Sequence, residues 1–222
     1  MLLKEDILKM VDHTLLKPIA TKSDINVLCE EAILAGTFSV CVPPSFVSFC
    51  KKKTSNSNVK ICTVIGFPNG YNTVKTKIFE AEDALAKGTD EIDMVINLGF
   101  VKDKKYKEEL NEISQIKKVC GNNILKVIIE TCYLTEEEKI EMCKVVTNSG
   151  ADYIKTSTGF GPSGATIEDV KLIKKYVGNG VKIKVAGGIS DFSLAEKFIN
   201  LGATRIGSSK LVGLAKKLSN IS

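Results

Sequence analysis

Residues Leu125–Ser157 read LKVIIETCYLTEEEKIEMCKVVTNSGADYIKTS. The two ends, LKVIIE (Leu125–Glu130) and DYIKTS (Asp152–Ser157), are short apolar runs rich in the residues that favour strands. Between them, TEEEKIEMCKVVTNSG (Thr135–Gly150) opens with a threonine suited to an N-cap and an acidic first turn, the marks of a helix start. A strand, a helix and a second strand in close succession make a unit whose two strands run parallel. The question for the rest of the chain is how often this unit recurs.

It recurs along the whole chain. Upstream, candidate strands are Met10–Thr14, Phe38–Val42, Lys60–Ile65 and Glu91–Asn97; downstream they are Lys182–Gly187 and Thr204–Ser209. Helical patterns lie between them. SDINVLCEEAILAG begins with a Ser–Asp cap signal and stops at Gly36, and TVKTKIFEAEDALAKG ends at Gly88 in the same way. TIEDVKLIKKYVG, DFSLAEKFINLG and SSKLVGLAKKLSN continue the series. About eight strands alternating with helices over some 200 residues, with no linker, predict an α/β fold closed as a (β/α)8 TIM barrel. Residues 1–222 are expected to form one domain. An open doubly wound sheet is the rival, but VDHTLLKP after the first strand lacks the glycine-rich turn that such sheets usually place there.

Composition excludes several classes. The 222 residues are 44% hydrophobic and 26% charged, with a mean hydropathy of +0.06. That profile suits a soluble protein with a substantial core. The start, MLLKEDILKMVDHTLL, has no apolar run of signal-peptide type, and no stretch approaches the ~20 apolar residues of a membrane helix. The cytoplasm is the expected compartment. Seven scattered cysteines without metal-ligand spacing read as reduced core residues, and one histidine, His13, argues against a histidine-based metal site. The net charge of +5 is spread among interleaved acids. Short clusters such as Lys51–Lys53 read as solvated helix faces and not as a nucleic-acid footprint. A mild positive balance suits an anionic small substrate.

In a barrel, chemistry collects at the C-terminal ends of the strands. Those ends supply Asp12, Thr14, Cys41, Asp93, Asn97, Lys126, Glu130, Lys155, Ser157, Lys184, Gly187, Gly207 and Ser208. Lys126, Lys155 and Lys184 are the anomaly, because three cations on interior strands need paired acids; Asp93 and Glu130 are the interior carboxylates the pattern offers. One reading is a structural ion-pair network. The other is nucleophilic catalysis. A free lysine amine, pKa ~10.4, is a poor nucleophile at neutral pH, but a second ammonium ~4 Å away costs about 4 kcal/mol at an effective dielectric of ~20. That is enough to free one amine near neutrality, so that it can attack a carbonyl and form a Schiff base. An adjacent carboxylate such as Asp93 would shuttle protons. VAGGIS (Val185–Ser190) and RIGSSK (Arg205–Lys210) each end a strand and run towards a helix. Amides at Gly187, Gly188, Gly207 and Ser208, with a further one near Gly159, would cradle a phosphate.

DHTLLKP (Asp12–Pro18), DEIDMVIN (Asp90–Asn97), LKVIIET (Leu125–Thr131), DYIKTSTGF (Asp152–Phe160) and KVAGGI (Lys184–Ile189), in this order and spacing, resemble the deoxyribose-phosphate aldolase family. The family is of class I, working through a Schiff base on a barrel, and the likeness covers nearly the whole chain. It implies that Lys155 forms the Schiff base, that Lys184 perturbs it and that Asp93 relays protons. Asp12, Thr14, Cys41 and Lys126 would line the substrate pocket, with the glycine turns on the 5-phosphate. The implied reaction is reversible cleavage of 2-deoxy-D-ribose 5-phosphate to acetaldehyde and D-glyceraldehyde 3-phosphate, without cofactor or metal, in a protein free to be a dimer or a tetramer. Two departures stand out: Ser190 replaces a basic residue that many members carry after the GG turn, and the tail KKLSNIS lacks a tyrosine found in some members. Other Schiff-base sugar-phosphate aldolases, transaldolase-like barrels and a non-catalytic phosphosugar-binding barrel are the alternatives.

Overall fold

The computed structural model describes residues 2–219. Among these residues eight parallel strands close into a barrel in chain order. They are β1 (Val11–Thr14), β2 (Ser39–Val42), β3 (Lys60–Ile65), β4 (Glu91–Val95), β5 (Ile124–Ile128), β6 (Tyr153–Lys155), β7 (Lys182–Ala186) and β8 (Arg205–Ser208). The main outer helices are α2 (Lys22–Ala35), α3 (Val47–Lys53), α4 (Val74–Ala86), α6 (Tyr106–Cys120), α7 (Glu136–Asn148), α8 (Ile167–Tyr176), α9 (Phe192–Asn200) and α10 (Leu211–Ser219). Short helices α1 (Lys4–Leu8) and α5 (Leu98–Lys102) precede β1 and α6. The barrel agrees with the fold expected from the alternating pattern. The three last tail residues, 220–222, where a tyrosine was sought, lie outside the described residues.

Local chemistry explains where the helices begin and end. Thr135 accepts from the Glu138 amide while Glu138 reaches back to the Thr135 amide, a complete capping box. Thr21 and Asp24 form a second one, so α2 is capped two residues before the Ser23 expected from the sequence. Gly36 ends α2 with φ 62°, a left-handed conformation suited to glycine.

Side chains alternate across each strand, and the two faces differ sharply in chemistry. Ile92, Met94, Leu125, Val127, Ile154, Ile183, Val185 and Ile206 point outward and pack with the helices as the main apolar core. The inward face carries Asp12, Glu91, Asp93, Lys126, Lys155, Lys184 and Arg205, all buried. The register sets these groups beside one another: Asp93 pairs with Lys126, Lys155 with Lys184, and Lys184 with Arg205. Burying charge on this scale is unfavourable unless every charge finds partners.

Candidate active site

The partners are all present. Asp93 Oδ2 accepts from Lys155 Nζ at 2.7 Å and from Lys184 Nζ at 2.6 Å, while its Oδ1 accepts from Lys126 Nζ at 2.8 Å. Two ammonium nitrogens thus converge on one oxygen. Lys184 is also paired with Asp12 Oδ2. Lys126 reaches Glu91 at 2.6 Å, and the Arg205 guanidinium bridges Asp12 at 2.8 Å and Glu91 at 2.7 Å. Ser39 Oγ donates to Asp12 Oδ1 at 2.7 Å. Four basic groups therefore face three carboxylates, which leaves one positive charge in excess when all are ionised.

The electrostatics follow from this crowding. Burial works to raise the Asp93 pKa, but the charges of Lys126, Lys155 and Lys184 overcome it and hold the carboxyl well below the usual range. Asp12 is held low in the same way, burial being outweighed by Lys184, Lys126 and Arg205. Burial would lower Lys184, yet Asp12 and Asp93 push its pKa above the ordinary lysine value. Lys126 is raised well above that value against the same burial, by Asp93 and its other anionic neighbours. The carboxylates thus favour the charged forms of Lys184 and Lys126.

Above this cluster lies a cavity of about 380 Å3, within the usual range for small-molecule sites. Thr14, Lys155, Thr158, Gly159, Ala186, Gly187, Gly188, Gly207 and Ser208 contribute to its wall. Lys155 is the one member of the charged cluster that reaches the wall. Lys184, Lys126, Asp93 and Asp12 lie beneath it. Gly187 and Gly188 turn the chain with φ 84° and 77°. A Cβ at Gly207 would come within 2.9 Å of the Ala186 Cβ, so only glycine lets β8 pass this point. Thr14 Oγ1 donates to the Asp12 carbonyl at 2.8 Å. The Ser208 hydroxyl donates to the Ile189 carbonyl at 3.2 Å and accepts from the amides of Lys210 and Leu211.

Several placements differ from the sequence reading. Glu130 is not a counter-ion of the lysines; its carboxylate accepts from Thr158 instead. The acids that balance the lysines are Asp12 and Glu91 beside Asp93, and neither Glu91 nor Arg205 stood among the candidates. The signal for Glu91 was its place two residues before Asp93, on the same strand face. Cys41 is fully buried beside Cys62 and Asp93, in a small cluster against which Leu16 and Phe67 pack, and does not itself line the cavity. Ser190 is not part of the wall either, its hydroxyl donating to Asp191 at 3.0 Å. Besides Lys155, the cavity is edged by the basic residues Lys17 and Lys210. Cys41, Cys62 and Asp93, and likewise Asp12, Cys62 and Glu91, are close enough to hold a metal ion. Their carboxylates already face ammonium and guanidinium groups, so this donor set suits a cation poorly.

A parallel barrel that presents a lysine amine on the wall of a glycine-edged cavity has the parts that a Schiff-base aldolase uses. The chain belongs to the DeoC/LacD aldolase family, whose model matches residues 7–208. It is 57% identical over 211 residues to deoxyribose-phosphate aldolase of Clostridium botulinum strain Alaska E43, covering 95% of each chain. The enzyme of that name from Clostridioides difficile is 55% identical over 210 residues, again covering 95% of both. Among solved structures, the deoxyribose phosphate aldolase of Aeropyrum pernix, described as having a unique tetrameric structure, superposes with a TM-score of 0.90 at 28% identity. That match covers 99% of this chain and 93% of the other.

Proposed function

We propose that this aldolase cleaves 2-deoxy-D-ribose 5-phosphate reversibly to acetaldehyde and D-glyceraldehyde 3-phosphate, with Lys155 as the Schiff-base lysine. The observation that carries the assignment is the convergence of Lys155 and Lys184 on one oxygen of Asp93, with Lys155 alone of the cluster on the cavity wall. Lys126 and Lys184 are paired with carboxylates below the cavity wall, and Lys155 is the amine that a substrate carbonyl can reach.

The chemistry then runs in order. The Lys155 nitrogen attacks the aldehyde carbon of the open-chain sugar, and loss of water gives the imine. The protonated imine is an electron sink for the bond between sugar carbons 2 and 3. As that bond breaks, the carbon-3 hydroxyl gives up its proton and becomes the aldehyde of glyceraldehyde 3-phosphate. The remaining enamine takes a proton at carbon 2, and water releases acetaldehyde. Asp93, with Lys184 bonded to it, is placed to hold and return these protons. Amides of Gly159, Gly187, Gly188, Gly207 and Ser208 take the phosphate, and Lys17 and Lys210 supply the positive charge that Ser190 does not.

The same reading makes the protein a cytoplasmic enzyme, in keeping with seven free thiols, and a homo-oligomer, dimer or tetramer. Among the described residues no helix is long and apolar enough to cross a membrane. The test is acetaldehyde release from deoxyribose 5-phosphate with EDTA present. Release at the undiminished rate is expected. No release, or dependence on added metal, would overturn the proposal.

A further inference from the structure

Glu130 is a buried carboxylate that the reaction scheme does not use. It sits just past β5, with 3% exposure and φ 50°. A left-handed backbone is unfavourable for a residue with a Cβ and persists only where its surroundings hold it. What holds it here is the loop that leaves β6 directly after Lys155. The Glu130 carboxylate accepts from the Thr158 amide at 3.1 and 3.2 Å and also from the Thr158 hydroxyl. Thr158 Oγ1 in turn accepts from the Phe160 amide at 3.0 Å. One carboxylate thus fixes both the backbone and the side chain of Thr158 and, through it, Phe160.

The packing shows that the loop is fitted to this carboxylate. A Cβ on Gly161 would lie 2.9 Å from the Cys132 sulfur and 3.4 Å from the Glu130 carboxyl carbon, so the absence of a side chain lets the loop close over Glu130. Beside it, the Thr131 amide donates to the Thr156 carbonyl at 2.9 Å. At its far end the same loop is pinned to the glycine turn: the Ala165 amide donates to the Gly187 carbonyl at 3.2 Å. The segment between these anchors contributes Thr158, Gly159 and Phe160 to the cavity wall. It leaves the Lys155 strand and, before entering α8, meets the glycine turn through the Ala165 bond.

We propose that Glu130 is a positioning residue for substrate: its bonds to Thr158 set the loop that walls the cavity between Lys155 and the glycine turn, and so fix how the phosphorylated end is bound. The inference rests on the reading of the cavity as a sugar-phosphate site. Glu130 does not touch the lysine cluster, so its loss acts on binding of the full substrate and spares imine formation with a small aldehyde.

The experiment compares Glu130→Ala, Thr158→Val and Thr158→Ser in the full chain. Each variant is measured for KM and kcat with deoxyribose 5-phosphate, and for borohydride trapping of saturating acetaldehyde on Lys155. For Glu130→Ala and Thr158→Val, KM rises about tenfold or more, the scale expected when a wall shifts by a fraction of an ångström. Trapping stays at the wild-type extent. Thr158→Ser, which keeps the hydroxyl, recovers most of the loss. If Glu130→Ala does not fold, Thr158→Val decides, since it only exchanges the hydroxyl for a methyl group and so breaks the hydroxyl's bond to Glu130. Variants with wild-type KM would overturn the positioning role alone, as would trapping that falls in step with cleavage. A wild-type enzyme inactive on deoxyribose 5-phosphate would overturn the reading of the cavity as well.

Discussion

Asp93→Asn is the substitution that asks most of the charged cluster. Asp93 is fully buried and takes three ammonium groups at 2.6 to 2.8 Å. Asparagine keeps the shape but removes one negative charge, so four basic groups would face two carboxylates. Removing one partner from a buried ion pair costs about 3–5 kcal/mol, a large share of the ~5–15 kcal/mol that holds a domain folded. For a chain of this length that corresponds to a fall in Tm of roughly 10 °C. The pH dependence gives a sharper signature. The folded-state pKa of Asp93 is depressed, so its contribution to stability is complete above the unfolded value of ~3.9 and is lost as pH falls through the folded value. The wild-type melting temperature should therefore decline more steeply than the variant's below about pH 4. Asp12 is depressed too and keeps some acid sensitivity in both proteins. Turnover should fall by roughly 10²–10⁴, the usual worth of a positioned proton-transfer group, while borohydride still traps acetaldehyde on the enzyme. Thermal melts from pH 3 to 8, beside a coupled assay for acetaldehyde, read both effects. A variant with near wild-type turnover, or one that loses trapping and turnover together, would refute the division between nucleophile and proton relay.

Other perturbations address separate parts of the account. Lys184→Leu removes one of the two ammonium groups that converge on Asp93 Oδ2, leaving three basic groups against three carboxylates. kcat/KM at pH 7 should drop on the order of a hundredfold or more; an unchanged rate would make Lys184 structural. Deoxyribose without phosphate should lose at least about a hundredfold in kcat/KM, the worth of a few charge-assisted hydrogen bonds. Equal efficiency with and without phosphate would reduce the glycine turns to plain turns. Glu109 on α6 is a case of the opposite sign, because burial, reinforced by the charge of Glu112, raises its pKa well above the usual carboxyl value. The folded protein therefore favours the neutral acid, and wild-type stability falls as pH rises from ~4.3 towards the folded value. Glu109→Gln should abolish that fall and match or exceed the wild type in urea unfolding at pH 8; parallel stability curves would contradict it.

The legible part of this molecule was its periodicity and its anomalies. Eight apolar runs at regular spacing became eight strands, and Thr135 and Gly36 marked helix ends through side-chain and backbone chemistry that is local in sequence. Strand ends were drawn too long where a polar residue leaves the ladder for another task. Asn97 is such a case, its side chain capping α5 through the amides of Gly99 and Phe100. Lysines in apolar strands stood out because burial of an ammonium needs a reason. The groups that balance them did not. Glu91 and Arg205 each open a strand, where an exposed charge is ordinary, and only barrel closure brings Arg205 at the end of the chain onto Asp12 at its start. Glu130 looked like a counter-ion because it ends the strand that carries Lys126, but its left-handed backbone turns the carboxylate towards the next loop. Cys41 was placed on the pocket by resemblance to the family, and its place beside Cys62 in the barrel interior follows from strand pairing that no local pattern shows.

The claim on which everything else depends is that Lys155 is the nucleophile. Incubation with acetaldehyde and borohydride, then peptide mapping by mass spectrometry, tests it directly. The account predicts an ethyl group on Lys155, complete loss of activity in the labelled protein, and full labelling in the presence of EDTA. An ethyl group on Lys184 or Lys126 instead, or a protein that stays active and unlabelled, would contradict it.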